Sequence, residues 1–153
     1  MTTIASDGKT VAADGLTTAG DEPLRSDRIK IKHSALGTIL GFTGIAALQS
    51  IIFSWFEDGA DPDKISGVLK EKDWSLVEFR ETDVAVYHHD LPYPNFLPYP
   101  FSVGAGEDYA LGALMAGATP ERAVQIASEK NVKTGGNITV LSLSPMVLRD
   151  AAE

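Results

Sequence analysis

The chain has 153 residues, of which 44% are hydrophobic and 22% are charged, so it is long enough for one globular domain with its own core. A net charge of −8 disfavours nucleic acid and anionic membranes as partners, and the absence of cysteine excludes disulfides, thiolate metal sites and cysteine nucleophiles. No apolar run approaches the ~18 residues of a membrane-spanning helix, and the first residues lack the features of a signal peptide. We therefore expect a single cytoplasmic domain over residues 1–153.

The first half of the chain alternates short β signals with turn residues. Asp7-Gly8 is a strong hairpin signal, residues 15–26 form a polar loop, and the run 45–56 is apolar nearly all round. That run predicts a helix sandwiched inside the fold, because a helix without a polar face is normally buried on every side. Four strands are predicted in this half, at residues 2–5, 10–13, 28–33 and 38–42.

The second half repeats an order of strands followed by helices. A helix is predicted over 108–116, and a second helix has Thr119 as its cap and Pro120 as its first residue. Residues 91–100 are expected to form a proline-aromatic loop and residues 145–153 a loose tail. The inner face of the second helix is expected to carry Ala123, Ile126 and Ala127. Four further strands are predicted at residues 74–80, 84–88, 101–103 and 138–143. This order predicts an α+β fold, a four-layer αββα sandwich of two stacked antiparallel sheets flanked by helices.

Five segments in a fixed order carry a resemblance to a known family. They are MTTIA, DGKTVAAD, GTILGFTG, FSVGAGEDYALGALMAGATPERA and KTGGNITVL. Together they resemble proteasome β subunits and the HslV-type peptidase, and above all the compact HslV-like proteins of bacteria and phages. The resemblance runs from Met1 to about Leu143, so it covers nearly the whole chain. It implies the fold of the N-terminal nucleophile hydrolases and acyl transfer by an N-terminal threonine.

Thr2 is the nucleophile that the resemblance implies. A hydroxyl attacks a carbonyl only when a base removes its proton, and the base in this family is the chain's own α-amine. The unperturbed pKa of an α-amine, roughly 7.7–8, suits proton transfer near neutrality. Thr2 can therefore act only after Met1 has been removed.

Three further roles are implied by the resemblance. Asp14, at the end of the second predicted strand, corresponds to an aspartate that pairs with a lysine near the threonine. Lys30 stands sixteen residues later and is our choice for that lysine, although Arg28 in Asp27-Arg28-Ile29 is the alternative. Both would point to the same face of a regular strand. Gly41 corresponds to the glycine whose N–H donates to the oxyanion, a contribution of roughly 3–4 kcal/mol to transition-state stabilisation.

Two segments depart from the family pattern. Family members usually have Gly-Ser-Gly before the first helix of the second half, where this chain has Gly104-Ala105-Gly106. Alanine has no hydroxyl with which to relay a proton. Asn131 and Thr134 occupy the positions at which proteasomal subunits usually carry aspartate and serine, although HslV-type enzymes also have the threonine.

Three hypotheses about function remain open. The first is a proteasome-like threonine endopeptidase that assembles as a homo-oligomeric ring, cleaves peptides or unfolded proteins, and has an ATP-dependent unfoldase as a partner. The second is a catalytically inactive ring protein with an assembly or binding role, and the third is a small-molecule amidase. No cofactor or metal is expected, since His88 and His89 would point to opposite faces of one strand. The expected location is the cytoplasm of a bacterium, or of the host if the gene belongs to a phage.

Overall fold

The computed structural model describes residues 2–20 and 22–143, so the predicted tail at 145–153 and Met1 lie outside the described residues. The strands are β1 (Thr3–Ser6), β2 (Thr10–Ala13), β3 (Thr17–Ala19), β4 (Glu22–Arg25), β5 (Ile31–His33), β6 (Ile39–Gly44), β7 (Trp74–Phe79), β8 (Val84–His88), β9 (Asn95–Leu97), β10 (Phe101–Gly104) and β11 (Thr139–Ser142). The helices are α1 (Gln49–Glu57), α2 (Gly67–Lys70), α3 (Glu107–Met115) and α4 (Pro120–Lys130), with 3-10 turns at Ala46–Leu48 and Pro62–Lys64. No helix within the described ranges has the length and apolarity needed to cross a membrane.

The strands form two antiparallel sheets and a separate hairpin. One sheet has four strands in the order β10-β1-β2-β11, and the other has five in the order β5-β6-β7-β8-β9. The hairpin pairs β3 with β4. In the four-stranded sheet Ile4 lies opposite Ala13, and in the five-stranded sheet Gly41 lies between Ile31 and Val77.

The main core lies between the two sheets. Side chains alternate across each strand, so Ile4 of β1 points into this layer whereas its neighbour Ala5 points to the opposite face. The interior face of the five-stranded sheet supplies Val77 and Phe79, which are fully buried. The remaining fully buried members of this core include Val11, Ala13, Ile39 and Val84.

The outer face of each sheet is covered by helices of different character. Ala5 and Ala12 of the four-stranded sheet pack against small residues of α3 and α4, among them Ala110, Ala123 and Ala127. Large side chains fill the other outer layer, where α1 covers the five-stranded sheet and Trp55 meets Trp74 and Tyr87 edge to face. Helix, sheet, sheet and helix therefore form four layers, which confirms the predicted αββα sandwich.

The prediction of a fully sandwiched helix over 45–56 was wrong in its burial and its start. The segment begins with the 3-10 turn, and α1 follows with one buried face that carries Ile52, Phe53, Trp55 and Phe56. Ile51, on the opposite side of α1, is 50% exposed, and Ile45, which precedes the 3-10 turn, is 48% exposed.

Other elements differ from the predictions in their extent. The polar loop at 15–26 contains the β3–β4 hairpin, and the loop at 91–100 contains the short edge strand β9. The predicted strand at 28–33 is shortened to β5, which begins at Ile31. Helix α2 had no clear sequence signal, and on α4 Ile126 is only half-buried, whereas Val124 is fully buried.

Candidate active site

Thr2 lies immediately before β1, against the end of β10. In the chain that still carries Met1, Thr2 is 2% exposed, and its carbonyl accepts a 2.6 Å hydrogen bond from the N–H of Ala105. Gly104 makes this close approach possible, because a Cβ at that position would stand 1.7 Å from the carbonyl oxygen of Thr2. Its φ of +108° is also a conformation that side chains disfavour, so the position requires glycine.

Thr3, a residue that the sequence did not single out, is fully buried and connects β1 to three other segments. Its N–H donates to Asp14 Oδ1 at 2.9 Å. Its Oγ1 accepts from the N–H of Gly106 at 2.9 Å and forms a 2.7 Å hydrogen bond with Thr134 Oγ1. A polar β-branched residue next to the nucleophile was the only available signal for this role, and it is a weak one. These contacts fix the backbone that carries Thr2.

Asp14 and Lys30 form an ion pair whose side chains are both wholly buried. Lys30 Nζ donates to Asp14 Oδ1 at 2.8 Å and to the carbonyl of Leu16 at 2.7 Å, and Asp14 Oδ2 accepts from the N–H of Gly135 at 3.1 Å. Burial lowers the pKa of Lys30, and the carboxylate of Asp14 opposes that shift. A buried pair is stable only with such supplementary hydrogen bonds, and here both partners have them.

The structure brings Lys30, and not Arg28, into contact with Asp14. Residues 28–30 precede β5, and Ile29 is exposed between the half-buried Arg28 and the buried Lys30, a pattern that agrees with both cations lying on one face. Arg28 is half-buried and donates through Nη2 to Gln49 Oε1, while Gln49 Nε2 donates to the carbonyl of Ile29 at 2.8 Å. The two cations therefore differ in their hydrogen-bond partners.

Gly41 lies in the middle of β6, in the core between the sheets. A Cβ there would stand 2.9 Å from Ile4 Cδ1. The next residue, Phe42, donates its N–H to the carbonyl of Lys30 on the β5 side. Since N–H directions alternate along a paired strand, the N–H of Gly41 points to β7, where Val77 is its register partner. That N–H is directed into the sheet.

The turn after α4 is joined to the segment before α3. Asn131 Nδ2 donates to the carbonyl of Ala105 at 2.9 Å, and Asn131 Oδ1 accepts from the N–H of Lys133 at 2.8 Å. Thr134 is 4% exposed, and its N–H donates to the carbonyl of Asn131 at 3.1 Å. Both ends of the Asn131 amide are thus occupied by main-chain groups, and Thr134 carries the connection on to Thr3.

A cavity of about 520 Å³ lies beside this cluster, under the β3–β4 hairpin. It is linked to the cluster on two sides, because Arg28 donates its N–H to the carbonyl of Gly15 at 3.0 Å and Lys133 directly precedes Thr134. Gly44, at the end of β6, also lines it, whereas Gly41 does not. The described residues that line it are Thr17, Thr18, Gly20, Leu24, Arg28, Gly44, Ile45, Ala46, Ala47, Asp73 and Lys133. A buried amine, hydroxyls, main-chain N–H groups and an open cavity are the parts that acyl transfer requires.

Comparison with known proteins identifies this architecture. No protein-family model and no curated protein sequence matches the chain. Among solved structures, eukaryotic HslV from Trypanosoma brucei superimposes with a TM-score of 0.74 at 18% identity, over 93% of this chain and 99% of HslV. BPH of Thiobacillus denitrificans gives 0.67 at 22% identity, over 94% of this chain and 98% of BPH. Its complex with epoxomicin gives 0.65 at 20% identity, over 94% and 99%. The chain therefore has the fold of HslV and the N-terminal nucleophile hydrolases, as its sequence predicted.

Proposed function

We propose that the chain is a subunit of a proteasome-like threonine peptidase in which Thr2 becomes the nucleophile once Met1 is removed. The observation that carries the proposal is the buried Asp14–Lys30 pair at the start of β1, where Asp14 also accepts from the N–H of Thr3. A buried charge pair is a costly way to hold a strand, and replacement by apolar residues is often neutral or stabilising. Asp14 contacts Thr3, the residue next to the candidate nucleophile Thr2. A role in catalysis would therefore explain why the costly pair is present.

The proposed reaction is acyl transfer through a covalent ester. The α-amine of processed Thr2 removes the proton from Oγ1, which attacks the peptide carbonyl, and the resulting tetrahedral oxyanion collapses as the leaving amine takes that proton. Water, activated by the same amine, then attacks the ester, which releases the carboxylate product and restores the Thr2 hydroxyl. Lys30 supplies a fixed positive charge close to the start of β1, and Asp14 holds it there.

We assign the role of oxyanion donor to Gly44, the last residue of β6, instead of Gly41. Gly44 lines the cavity. Since N–H directions alternate along β6, the N–H of Gly44 points away from β7, at a level where β5 has not yet begun. The N–H of Gly41, in contrast, is committed to the sheet. The resemblance implied this role for Gly41 alone, and Gly44 follows three residues later in Gly-Phe-Thr-Gly.

The rest of the proposal extends the likeness to HslV. We infer a homo-oligomeric ring with its sites facing an inner chamber, peptide or unfolded protein as substrate, an ATP-driven unfoldase as partner, and a cytoplasmic location. The roles of Asn131 and Thr134 are positional. Asn131 holds the carbonyl of Ala105, and Thr134 holds the hydroxyl of Thr3, so neither acts on substrate directly.

Intact-mass spectrometry before and after treatment with epoxomicin tests the proposal. We expect the purified chain to lack the Met1 mass and to gain one inhibitor. Thr2→Ala is the matched control, since alanine is also small enough for methionine removal but has no hydroxyl. It should lose Met1 and remain unlabelled. A wild-type chain that keeps Met1 and is never labelled would contradict the peptidase proposal.

A second candidate function, a catalytically inactive ring protein, has one specific observation in its favour. Ala105 stands against Thr2 with only main-chain groups: its N–H donates to Thr2 and its carbonyl accepts from Asn131. The hydroxyl that the family usually carries at this place is missing. Loss of Met1 without labelling would favour this candidate, and Ala105→Ser would then be expected to restore labelling.

A further inference from the structure

We propose that the cavity under the β3–β4 hairpin selects an acidic side chain of the substrate, with Arg28 as the specificity-determining residue. The inference rests on the proposed function, because it names the substrate class of the same site. The preferred substrate would carry glutamate or aspartate on the acyl side of the cleaved bond.

Arg28 is held as a fixed cation rather than as a mobile surface side chain. Its guanidinium donates to Gln49 Oε1, and the other end of the Gln49 amide is tied to the carbonyl of Ile29. A guanidinium has five N–H donors in a planar fork, so a single bond to Gln49 leaves an edge for a carboxylate. Since Arg28 is half-buried, an ion pair formed there would be screened less by water than a surface pair.

The charges that line the cavity favour an anion. Lys133 stands in the same wall with an interaction of its own, so Arg28 is the cation on which the assignment rests. Among the described residues, Asp73 is the acidic one in the lining, and its side chain is 99% exposed, with Oδ1 4.0 Å from His89 Nε2. Its charge is therefore mainly in solvent. Burial lowers the pKa of Arg28 and the charge of Asp14 opposes that shift, but the carboxylate of Asp14 is already paired with Lys30.

A buried hydroxyl in the same wall adds an independent observation. Thr17 Oγ1 is buried, and it makes no hydrogen bond to any other group in the described part of the chain. A buried polar atom without a partner costs about 1–3 kcal/mol, so the wall of this cavity contains a polar group that is not satisfied within the described residues.

The apolar part of the lining suits the stem of an acidic side chain. Leu24, on the exposed hairpin, is 66% exposed, and Ile45, at the end of β6, is 48% exposed. Ala46 and Ala47 complete this part of the wall. Short methylene stems can lie against these groups while their carboxylate reaches the guanidinium, so the cavity combines apolar contact with one charged anchor.

Binding of two peptides to the Thr2→Ala variant tests the inference without requiring catalysis. The peptides are capped and identical except for one residue, glutamate in the first and glutamine in the second, and their dissociation constants are measured by calorimetry at two salt concentrations. We expect the glutamate peptide to bind about tenfold more tightly or better, with a smaller preference at high salt. Arg28→Gln in the same background should reduce the ratio to about one, since the neutral amide keeps the hydrogen-bonding stem but removes the charge.

Arg25→Gln is the matched control, because Arg25 is an exposed arginine of the same hairpin that is paired with Asp27 at 2.8 Å. It should leave the ratio within about twofold of its starting value. Equal binding of the two peptides, or a ratio that survives Arg28→Gln, would overturn the inference. Epoxomicin labelling of the wild-type chain reports separately on the peptidase proposal, so a labelled chain without acid preference refutes only the pocket assignment. An unlabelled chain that still discriminates the peptides through Arg28 refutes only the catalysis.

Discussion

The candidate site has a buried floor and a half-exposed rim that differ in construction. The floor consists of Thr3, Asp14, Lys30 and Thr134, whose side chains are at most 4% exposed and are joined by short hydrogen bonds. The rim consists of the β3–β4 hairpin and Arg28, where every residue of β4 is exposed. The floor is thus rigid and suited to holding reactive groups, whereas the rim can change residue by residue at low cost in stability. We expect chemistry to depend on the floor and selectivity on the rim.

The largest effect is expected from Lys30→Met, which leaves Asp14 buried without its counter-ion. Removal of one partner of a buried pair costs about 3–5 kcal/mol, because the remaining charge is desolvated and unpaired. Denaturation with urea near neutral pH should therefore show a much lower free energy of unfolding. Activity and epoxomicin labelling should be lost as well.

Lys32→Met is the matched control for the floor, since Lys32 is two residues away and exposed, with only a 5.8 Å contact to the ring of Phe53. It should change the free energy of unfolding by about 1 kcal/mol or less. The double variant Asp14→Asn with Lys30→Met should recover part of the loss, because no uncompensated charge remains. If Lys30→Met and Lys32→Met had equal effects, the buried pair would not have the stabilising role assigned to it.

Gly104→Ala should have the next largest effect. A methyl group would stand 1.7 Å from the carbonyl of Thr2, so β10 or the start of β1 would have to move, and φ of +108° adds backbone strain. We expect a loss of about 2–4 kcal/mol in the free energy of unfolding, measured by thermal or urea denaturation. A fully stable variant would show that the two segments do not approach as closely as described.

Thr3→Val tests the floor with a change of almost constant volume. The variant leaves the N–H of Gly106 and the hydroxyl of Thr134 without their partner, at a cost of about 1–3 kcal/mol. Thr3→Ser should retain both hydrogen bonds and most of the stability. Thr10→Val, on a half-buried strand position, is the control and should lie within about 0.5 kcal/mol of the wild type. Equal unfolding free energies for Thr3→Val and Thr10→Val would contradict the proposed role of Thr3.

The sequence was enough to predict the architecture and to select Asp14 and Lys30 of the floor. Alternation in short strands predicts the stacked sheets, and Asp14 and Lys30 were named because their separation follows the family pattern. Periodicity alone does not reveal which of the two cations contacts Asp14, and the structure shows that it is Lys30.

The β3–β4 hairpin of the rim was predicted only as a polar loop, and the reason is physical. The β3–β4 hairpin is polar and exposed, so it lacks the apolar periodicity from which strands are recognised. The sequence also could not show where the N–H of Gly41 points, since that direction follows from the pairing of β6 with both neighbours and not from the glycine itself. Thr3 was overlooked because its importance lies in contacts with residues 106 and 134, far along the chain.

Gly112→Ala gives the smallest effect and has the opposite sign. Gly112 lies within α3, eight residues after Gly104, and a Cβ there would meet no atom within 4 Å. Alanine is favoured over glycine in a helix interior by about 0.5–1 kcal/mol, because glycine loses more backbone entropy on folding. The variant should therefore unfold at a higher temperature than the wild type while it keeps the wild-type response to epoxomicin. A destabilised Gly112→Ala would mean that the exposed face of α3 is covered in the assembled protein, and the size of that loss, compared between dilute and concentrated samples, would separate packing between subunits from strain within the helix.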